Sequence, residues 1–178
     1  MTRWLVGAMV LSSIGFSAPS WAAKEVLELL SNNQGLTPQI LLSQVERDYA
    51  GVICEFEIDV EDGELVYEIS VINSQLETKT EFEFLAKDGS LIDQKISALE
   101  ADDQDSLKAV LLMNDQVLTF SELVKQAMHE RQAYMLEAQL DHDLGISYLE
   151  LKLIDDTGKR TLAFDIKSQR PLPMLKWD

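Results

Sequence analysis

The sequence predicts an α+β fold of two tandem units, each an α-β-β-β arrangement in which an antiparallel sheet packs on a helix. Three observations predict it. The chain is similar to itself at one fixed offset without a gap, helix start signals recur at the same place in each copy, and apolar residues alternate with charged ones in the segments that follow. The 178 residues suffice for one body or two small ones.

Residues 1–22 have the composition of a secretory signal peptide. Arg3 gives a basic start, an uncharged and mostly apolar run extends from Trp4 to Phe16, and Ala22 ends a segment that a signal peptidase would recognise. The apolar run is shorter than the roughly 20 residues that span a bilayer. Cys54, the single cysteine, lies far from the cleavage site, which argues against a lipoprotein. We expect a soluble periplasmic or secreted protein with no stable membrane insertion after cleavage.

The charge of the chain restricts its partners. The formal charge is −16, and removing Arg3 with the signal peptide leaves 14 basic and 31 acidic residues, or 14 − 31 = −17. A field of this sign opposes binding to nucleic acid or anionic lipid and favours cationic partners or metal ions. The simpler interpretation of the charge is solubility.

The duplication defines the domain organisation. Leu36-Thr37 aligns with Leu118-Thr119, because 118 − 36 = 82, and further matches follow at the same offset without a gap. They include Leu41 with Leu123, Gln44 with Gln126, Glu55 with Glu137, Gly63 with Gly145, Glu68 with Glu150, Ile72 with Ile154 and Phe82 with Phe164. We predict an N-terminal helix over 23–35, repeat 1 over 36–94, a linking helix over 95–117 and repeat 2 over 118–178.

Each repeat is expected to begin with a helix. In repeat 1, Thr37 is a candidate N-cap and Pro38 occupies the first helical position, where its missing N–H costs nothing. In repeat 2, Thr119 and Glu122 have the spacing of a capping box. The acidic run around Asp103 suits the N-terminus of the linking helix.

Three strands are expected after each repeat helix. The first is half-buried, because apolar residues from Cys54 to Val60 alternate with acids. A two-residue turn at Asp62-Gly63 then predicts a hairpin, and Gly145 takes the same place in repeat 2. Units this small are marginal alone, so the two copies either pack on each other or share a sheet.

The succession of Leu-Thr helix entry, acid-flanked strand, turn glycine and aromatic-bearing strand resembles the PepSY domain, with two copies covering most of the mature chain. The family pattern is split between the copies. Repeat 1 keeps Gly89 but has Leu85 where an aspartate is expected, whereas repeat 2 keeps Asp165 but has Gln169-Arg170-Pro171 in place of the glycine. The resemblance implies a sheet packed on a helix and an inhibitory or chaperone-like role toward peptidases.

The residues that catalysis uses are scarce in this chain. It has two histidines and one cysteine, and no serine lies in a nucleophile elbow. His129 lacks the His-Glu-x-x-His spacing of a zinc helix, and Cys54 has the leucine Leu136 as its counterpart, which favours a core role. We predict no enzyme and no cofactor.

The main functional hypothesis is a non-catalytic, periplasmic PepSY-type module that binds another protein, inhibiting a peptidase or modulating an envelope sensor. The alternative is a protein that binds a small ligand or a divalent cation. Two acidic hairpins motivate the alternative, since carboxylates are the ligands of hard cations. The candidate metal ligands are Asp59, Glu61, Asp62, Asp141, His142 and Asp143.

Overall fold

The computed structural model describes residues 20–129 and 131–173. Most of the predicted signal peptide and the C-terminal end of the chain, residues 174–178, lie outside the described residues. The helices are α1 (Ser20–Asn32), α2 (Pro38–Asp48), α3 (Gln104–Gln116) and α4 (Phe120–Ala127). The strands are β1 (Val52–Glu61), β2 (Glu64–Asn73), β3 (Thr78–Leu85), β4 (Leu91–Ala98), β5 (Tyr134–Asp143), β6 (Ile146–Asp155), β7 (Gly158–Asp165) and β8 (Arg170–Pro171).

All eight strands belong to one antiparallel sheet with the order β4-β3-β2-β1-β5-β6-β7-β8. The sequence left open whether the halves share a sheet, and the structure answers that they do. Strands β1 and β5 join them, with Glu55 opposite Gln139, Phe56 opposite Ala138 and Glu57 opposite Glu137. The fold is therefore one continuous antiparallel sheet with helices, to which each half contributes four strands rather than the three that were predicted.

The offset that aligns the repeats in sequence also relates the two halves of the sheet. It converts the bounds of β1 into those of β5 and the bounds of β2 into those of β6. Phe56 and Ala138, which are counterparts at this offset (138 − 56 = 82), also stand directly opposite each other. A local two-fold axis that relates the two halves of the sheet therefore passes through this pair.

The region between the repeats differs from the prediction. Residues 95–98, expected in the linking helix, belong to strand β4, and helix α3 begins only at Gln104. Strand β4 is exposed along almost its whole length, so no alternation of burial marks it in the sequence.

The two repeat helices, α2 and α4, start where the sequence predicts, but their capping differs. Thr119 accepts a hydrogen bond from the Glu122 N–H, and the Glu122 side chain accepts one from the Thr119 N–H, which completes the capping box. Thr37 is the N-cap of α2 without a side-chain bond, and Pro38 occupies the first turn. The entry to α2 therefore depends on the proline and on backbone bonds to the Thr37 carbonyl.

Both predicted hairpins turn at adjacent residues with positive φ. Asp62 and Gly63 have φ of 50° and 82°, and Leu144 and Gly145 have 49° and 81°. These values are those of a type I′ turn, whose twist matches that of the strands it joins. Leucine therefore occupies in repeat 2 a conformation that aspartate adopts more readily in repeat 1.

The core lies between the sheet and the helices. Strand side chains such as Phe56, Tyr67 and Ile69 are fully or almost fully buried, and so are Leu42 of α2 and Leu123 of α4. Charged residues alternate with them along β1, whereas in β2 the same-face neighbours of Glu68, namely Val66, Ser70 and Ile72, are buried. The sheet therefore has one apolar face, and its other face carries carboxylates along the middle of the strands.

Candidate functional site

The charged face of the sheet is dominated by carboxylates, and we call it the acidic face. Its members come from six adjacent strands, which alternation directs to the same side. They are Glu55, Glu57, Glu68, Glu81, Glu83, Asp93, Glu137 and Glu150.

Five of these carboxylates form one straight row across the sheet. Glu57 lies opposite Glu68, and the pairing continues through Glu83 to Asp93. On its other side Glu57 lies opposite Glu137. Adjacent strands are about 4.8 Å apart, and like charges directly opposite each other are destabilising. The row therefore costs folding free energy.

Cations reach the acidic face at its margins. Lys152 contacts both carboxylate oxygens of Glu137, at 2.9 and 2.7 Å, and so ends the row on one side. Lys95 lies 3.4 Å and Lys79 3.9 Å from Glu81 on the other side. None of the ion pairs given for the described residues involves Glu57, Glu68 or Glu83. The middle of the row is left with concentrated negative charge.

A groove of about 330 Å³ follows this part of the face. Its lining includes Glu57, Glu68 and Glu83 from the row and Ser70 at a buried position. The groove is a place where the side chain of a partner could approach several carboxylates together.

Burial and the neighbouring charges raise the pKa values of several carboxyl groups on the acidic face. Partial burial raises the pKa of Glu68 above its usual value of 4.5, and the neighbouring carboxylates of Glu57 and Glu83 raise it further. Burial, followed by the charges of Glu137 and Glu55, raises the pKa of Glu57 in the same way. The pKa of Glu150 is also raised, mainly by burial.

These shifts predict that the protein loses stability as the pH rises. The folded state holds protons on Glu57, Glu68 and Glu150 at pH values where the unfolded chain has released them, so the slope of stability against pH is negative. The loss begins near the ordinary pKa of 4.5 and is complete above the raised values. We expect Glu68→Gln to flatten this decline and to raise stability at pH 7 by about 0.5 to 1 kcal/mol. Thermal unfolding between pH 4.5 and 8 measures both effects.

The control for this prediction is Glu25→Gln, at an exposed position on α1 and outside the paired strands. It removes the same charge but should leave the pH profile unchanged. A profile that rises toward pH 8 in the unmodified protein would contradict the assignment of repulsion to the row.

The structure separates the two acidic hairpins that the sequence singled out. Strands β1 and β5 are antiparallel and pair only around Phe56 and Ala138, so their following turns lie at opposite ends of the sheet. At about 3.3 Å per residue, the turns are roughly 40 Å apart. Asp59, Glu61 and Asp62 therefore cannot share an ion with Asp141, His142 and Asp143.

Within each hairpin, several acids already accept hydrogen bonds. Asp141 accepts one from the Tyr148 hydroxyl at 2.8 Å and one from the His142 N–H at 2.7 Å. The His142 Nδ1 lies 2.8 Å from the Ser147 hydroxyl, and Asp143 accepts from the backbone of Leu144. Among residues 20–129 and 131–173, no group of three or more His, Cys, Asp or Glu is arranged to hold a metal ion.

Cys54 lies in the core, as its apolar counterpart suggested. It is 2% exposed, and its thiol donates a hydrogen bond of 3.4 Å to the Ser70 carbonyl. Burial raises the pKa of this thiol to about 12, so it is protonated at neutral pH. The residue sits at a β-bulge of β1, where the pairing with β2 shifts between Ile53 and Glu55. The bulge recurs at Leu136 in β5.

A further groove lies on the helix side of the sheet. It has a volume of about 390 Å³ and is lined by apolar residues of α1, α4 and β5, including Leu30, Val124 and Met135. The hydroxyl of Tyr67, also in the lining, donates to the Leu36 carbonyl at 3.0 Å. Burial raises the pKa of Tyr67 to about 12, so this hydroxyl stays neutral. No local pattern in the sequence indicated this groove.

No protein-family model matches the chain, and no curated protein matches it. Among solved structures, the chain is similar to a "putative lipoprotein" from Clostridium difficile 630, with 16% sequence identity and a TM-score of 0.46. The similarity covers 82% of this chain and 97% of that chain. Likeness of this degree carries no information about function. In the described parts of the chain, no helix has the length and apolar character needed to cross a bilayer.

Proposed function

We propose that this protein is a non-catalytic, exported module of the PepSY kind that binds a partner protein through its acidic face. The observation that carries the proposal is the row of five carboxylates from Asp93 to Glu137. The partner surface that fits such a row is cationic.

The repulsion within the row of carboxylates is a cost that solubility alone does not explain. Solubility requires net charge but not like charges opposite each other, because dispersed surface charges keep a protein soluble without that repulsion. A sequence that retains such a cost commonly does so at a functional site. A lysine- or arginine-rich surface would remove the repulsion on docking and would be attracted by the long-range field of the chain.

The class of partner follows from the resemblance to PepSY domains and from the predicted signal peptide. Both favour a peptidase or an envelope sensor that the protein meets outside the cytoplasm. The module would act by covering a basic surface of that partner, and its own side chains would take part in no bond-making step. The separated hairpins give no support to a cation site shared between them, so no second function is proposed.

The test compares two variants with the same net charge. The first, Glu57→Gln/Glu68→Gln/Glu83→Gln, neutralises the middle of the row. The second, Glu25→Gln/Asp102→Asn/Asp156→Asn, removes three exposed acids on α1, on the loop before α3 and on the turn before β7. The unmodified protein and both variants are immobilised and exposed to an envelope extract, and the captured proteins are identified and their affinities measured against salt.

We expect at least one captured protein with a basic surface whose affinity falls about tenfold or more for the first variant and stays unchanged for the second. Its affinity should also decrease with increasing salt, because screening weakens attraction between charges. Equal capture by both variants would show that the row is not the docking surface. Capture of no protein by the unmodified chain would count against a binding function altogether.

A further inference from the structure

The outer edge of strand β4 is a feature that the proposed function does not use. From its position and sequence we propose that the protein forms a symmetric dimer, in which the β4 strands of two copies pair antiparallel with Gln94 opposite Gln94. The proposal concerns the backbone edge of the sheet and does not depend on the proposed function, although Asp93 belongs both to this edge and to the acidic face.

The two edges of the sheet differ in a way that favours β4. At one edge, β8 has two residues and includes Pro171, which lacks an N–H, so little backbone is available there. At the other edge, β4 has eight residues, and within residues 20–129 and 131–173 it pairs only with β3, on its inner side. A long edge strand offers a row of unpaired donors and acceptors to another strand.

The backbone of β4 fixes which residues face outward. The Leu99 N–H donates to the Glu77 carbonyl, so the backbone groups of Leu99 point toward the β3 side of the strand. The direction of the backbone N–H and C=O groups alternates along a strand. Those of Ser97, Lys95 and Asp93 therefore also point toward β3, where Lys95 is paired with Glu81. Gln94 and Ile96 therefore direct their N–H and C=O groups away from the sheet. A pairing centred on Gln94 would use these groups.

The side chains of β4 are complementary to themselves in this arrangement. The segment Ile92-Asp93-Gln94-Lys95-Ile96 is symmetric in character about its centre. Pairing two copies about Gln94 places each Asp93 opposite a Lys95 and brings each Ile92, at the bulge, near an Ile96. These isoleucines are 50% and 64% exposed, so the contact would cover apolar surface that is open in the single chain.

Neighbouring registers lack this complementarity. Centring the pair on Asp93 would set the two aspartates against each other, and centring it on Lys95 would do the same with the lysines. Like charges directly opposite are destabilising, so the sequence favours the register at Gln94 over both. A bulge in β4 between Leu91 and Asp93 limits the regular ladder to three pairs, which is also the length of the β1–β5 ladder that joins the two halves.

The dimer would extend the acidic face. A two-fold axis perpendicular to the sheet keeps the acidic faces of both copies on the same side. The row that ends at Asp93 in one copy would then meet Lys95 of the second copy. The result would be one sheet of 16 strands, twice the 8 in a single chain, carrying two acidic rows.

Sedimentation velocity on the mature chain tests the proposal, at about 0.15 M salt so that repulsion between two acidic copies is screened. We expect a concentration-dependent dimer. Gln94→Pro removes an outward N–H and is tolerated at an edge, so it should yield a folded monomer, whereas Gln94→Ala keeps the backbone and should remain dimeric. Thermal unfolding of both variants at low concentration verifies that they fold.

A charge exchange separates this register from any other. D93K places like charges opposite each other at both ends of the pair and should weaken the dimer about tenfold or more, and D93K/K95D should restore it. Monomers at all concentrations, a dimer that persists in Gln94→Pro, or a double exchange that stays as weak as D93K would each overturn the proposal.

Discussion

Replacing Phe56 with alanine is expected to lower the free energy of unfolding by about 3 to 5 kcal/mol. The side chain is 0% exposed and is among the largest that the fold buries completely. Its ring lies 5.5 Å from that of Tyr67, centroid to centroid. It also stands opposite Ala138, where the small side chain leaves no bulk to fill a cavity. Urea unfolding followed by circular dichroism measures the loss.

The position of Phe56 makes this substitution a test of the joined sheet as well. Because β1 and β5 connect the halves at this residue, we expect a single unfolding transition whose midpoint shifts to a lower urea concentration in the variant. Leu76→Ala is the matched control, since Leu76 is 71% exposed and its truncation should change stability by less than about 0.5 kcal/mol. Two transitions, with only one moved by Phe56→Ala, would show that the halves fold independently.

Much of the fold could be predicted because its signals are local. The capping box at Thr119 and the turn at Asp62-Gly63 each depend on residues close to one another in the chain. The Asp62-Gly63 turn even determines that Glu57 faces Glu68, because a two-residue turn fixes the register of its hairpin. The start of the row was therefore present in the sequence, although the row itself was not predicted.

The remainder of the site depends on pairing between distant segments. Glu57 meets Glu137 only because β1 and β5 join, and nothing local in either strand indicates its neighbour. Asp93 joins the row through β4, whose exposed position at the edge conceals it from any periodicity of burial. The acids of the two hairpins are adjacent in sequence, whereas the acids of the row are adjacent only across strands.

Gly51 is a single residue whose structural role could not be predicted from the sequence. It precedes β1 and has a φ of 128°, in the region that side chains rarely adopt. A Cβ atom at this position would lie 2.7 Å from the Ile72 carbonyl oxygen, which is closer than real contacts. The counterpart of Gly51 in the second repeat is Ala133 (133 − 51 = 82), so the duplication offered no reason to expect a required glycine here.

Gly51→Ala is therefore expected to destabilise the protein by about 2 to 4 kcal/mol, since backbone strain and the contact with Ile72 act together. Gly63→Ala separates the two causes. Gly63 also has a positive φ, of 82°, but a Cβ atom there would meet nothing within 4 Å, so strain alone should cost about 1 kcal/mol. The urea midpoints of the two variants give the difference in unfolding free energy, provided that the dependence of this free energy on urea concentration is the same for both. Equal losses would mean that the strand β1 can shift away from Ile72, and that the start of the first repeat is less constrained than its contacts indicate.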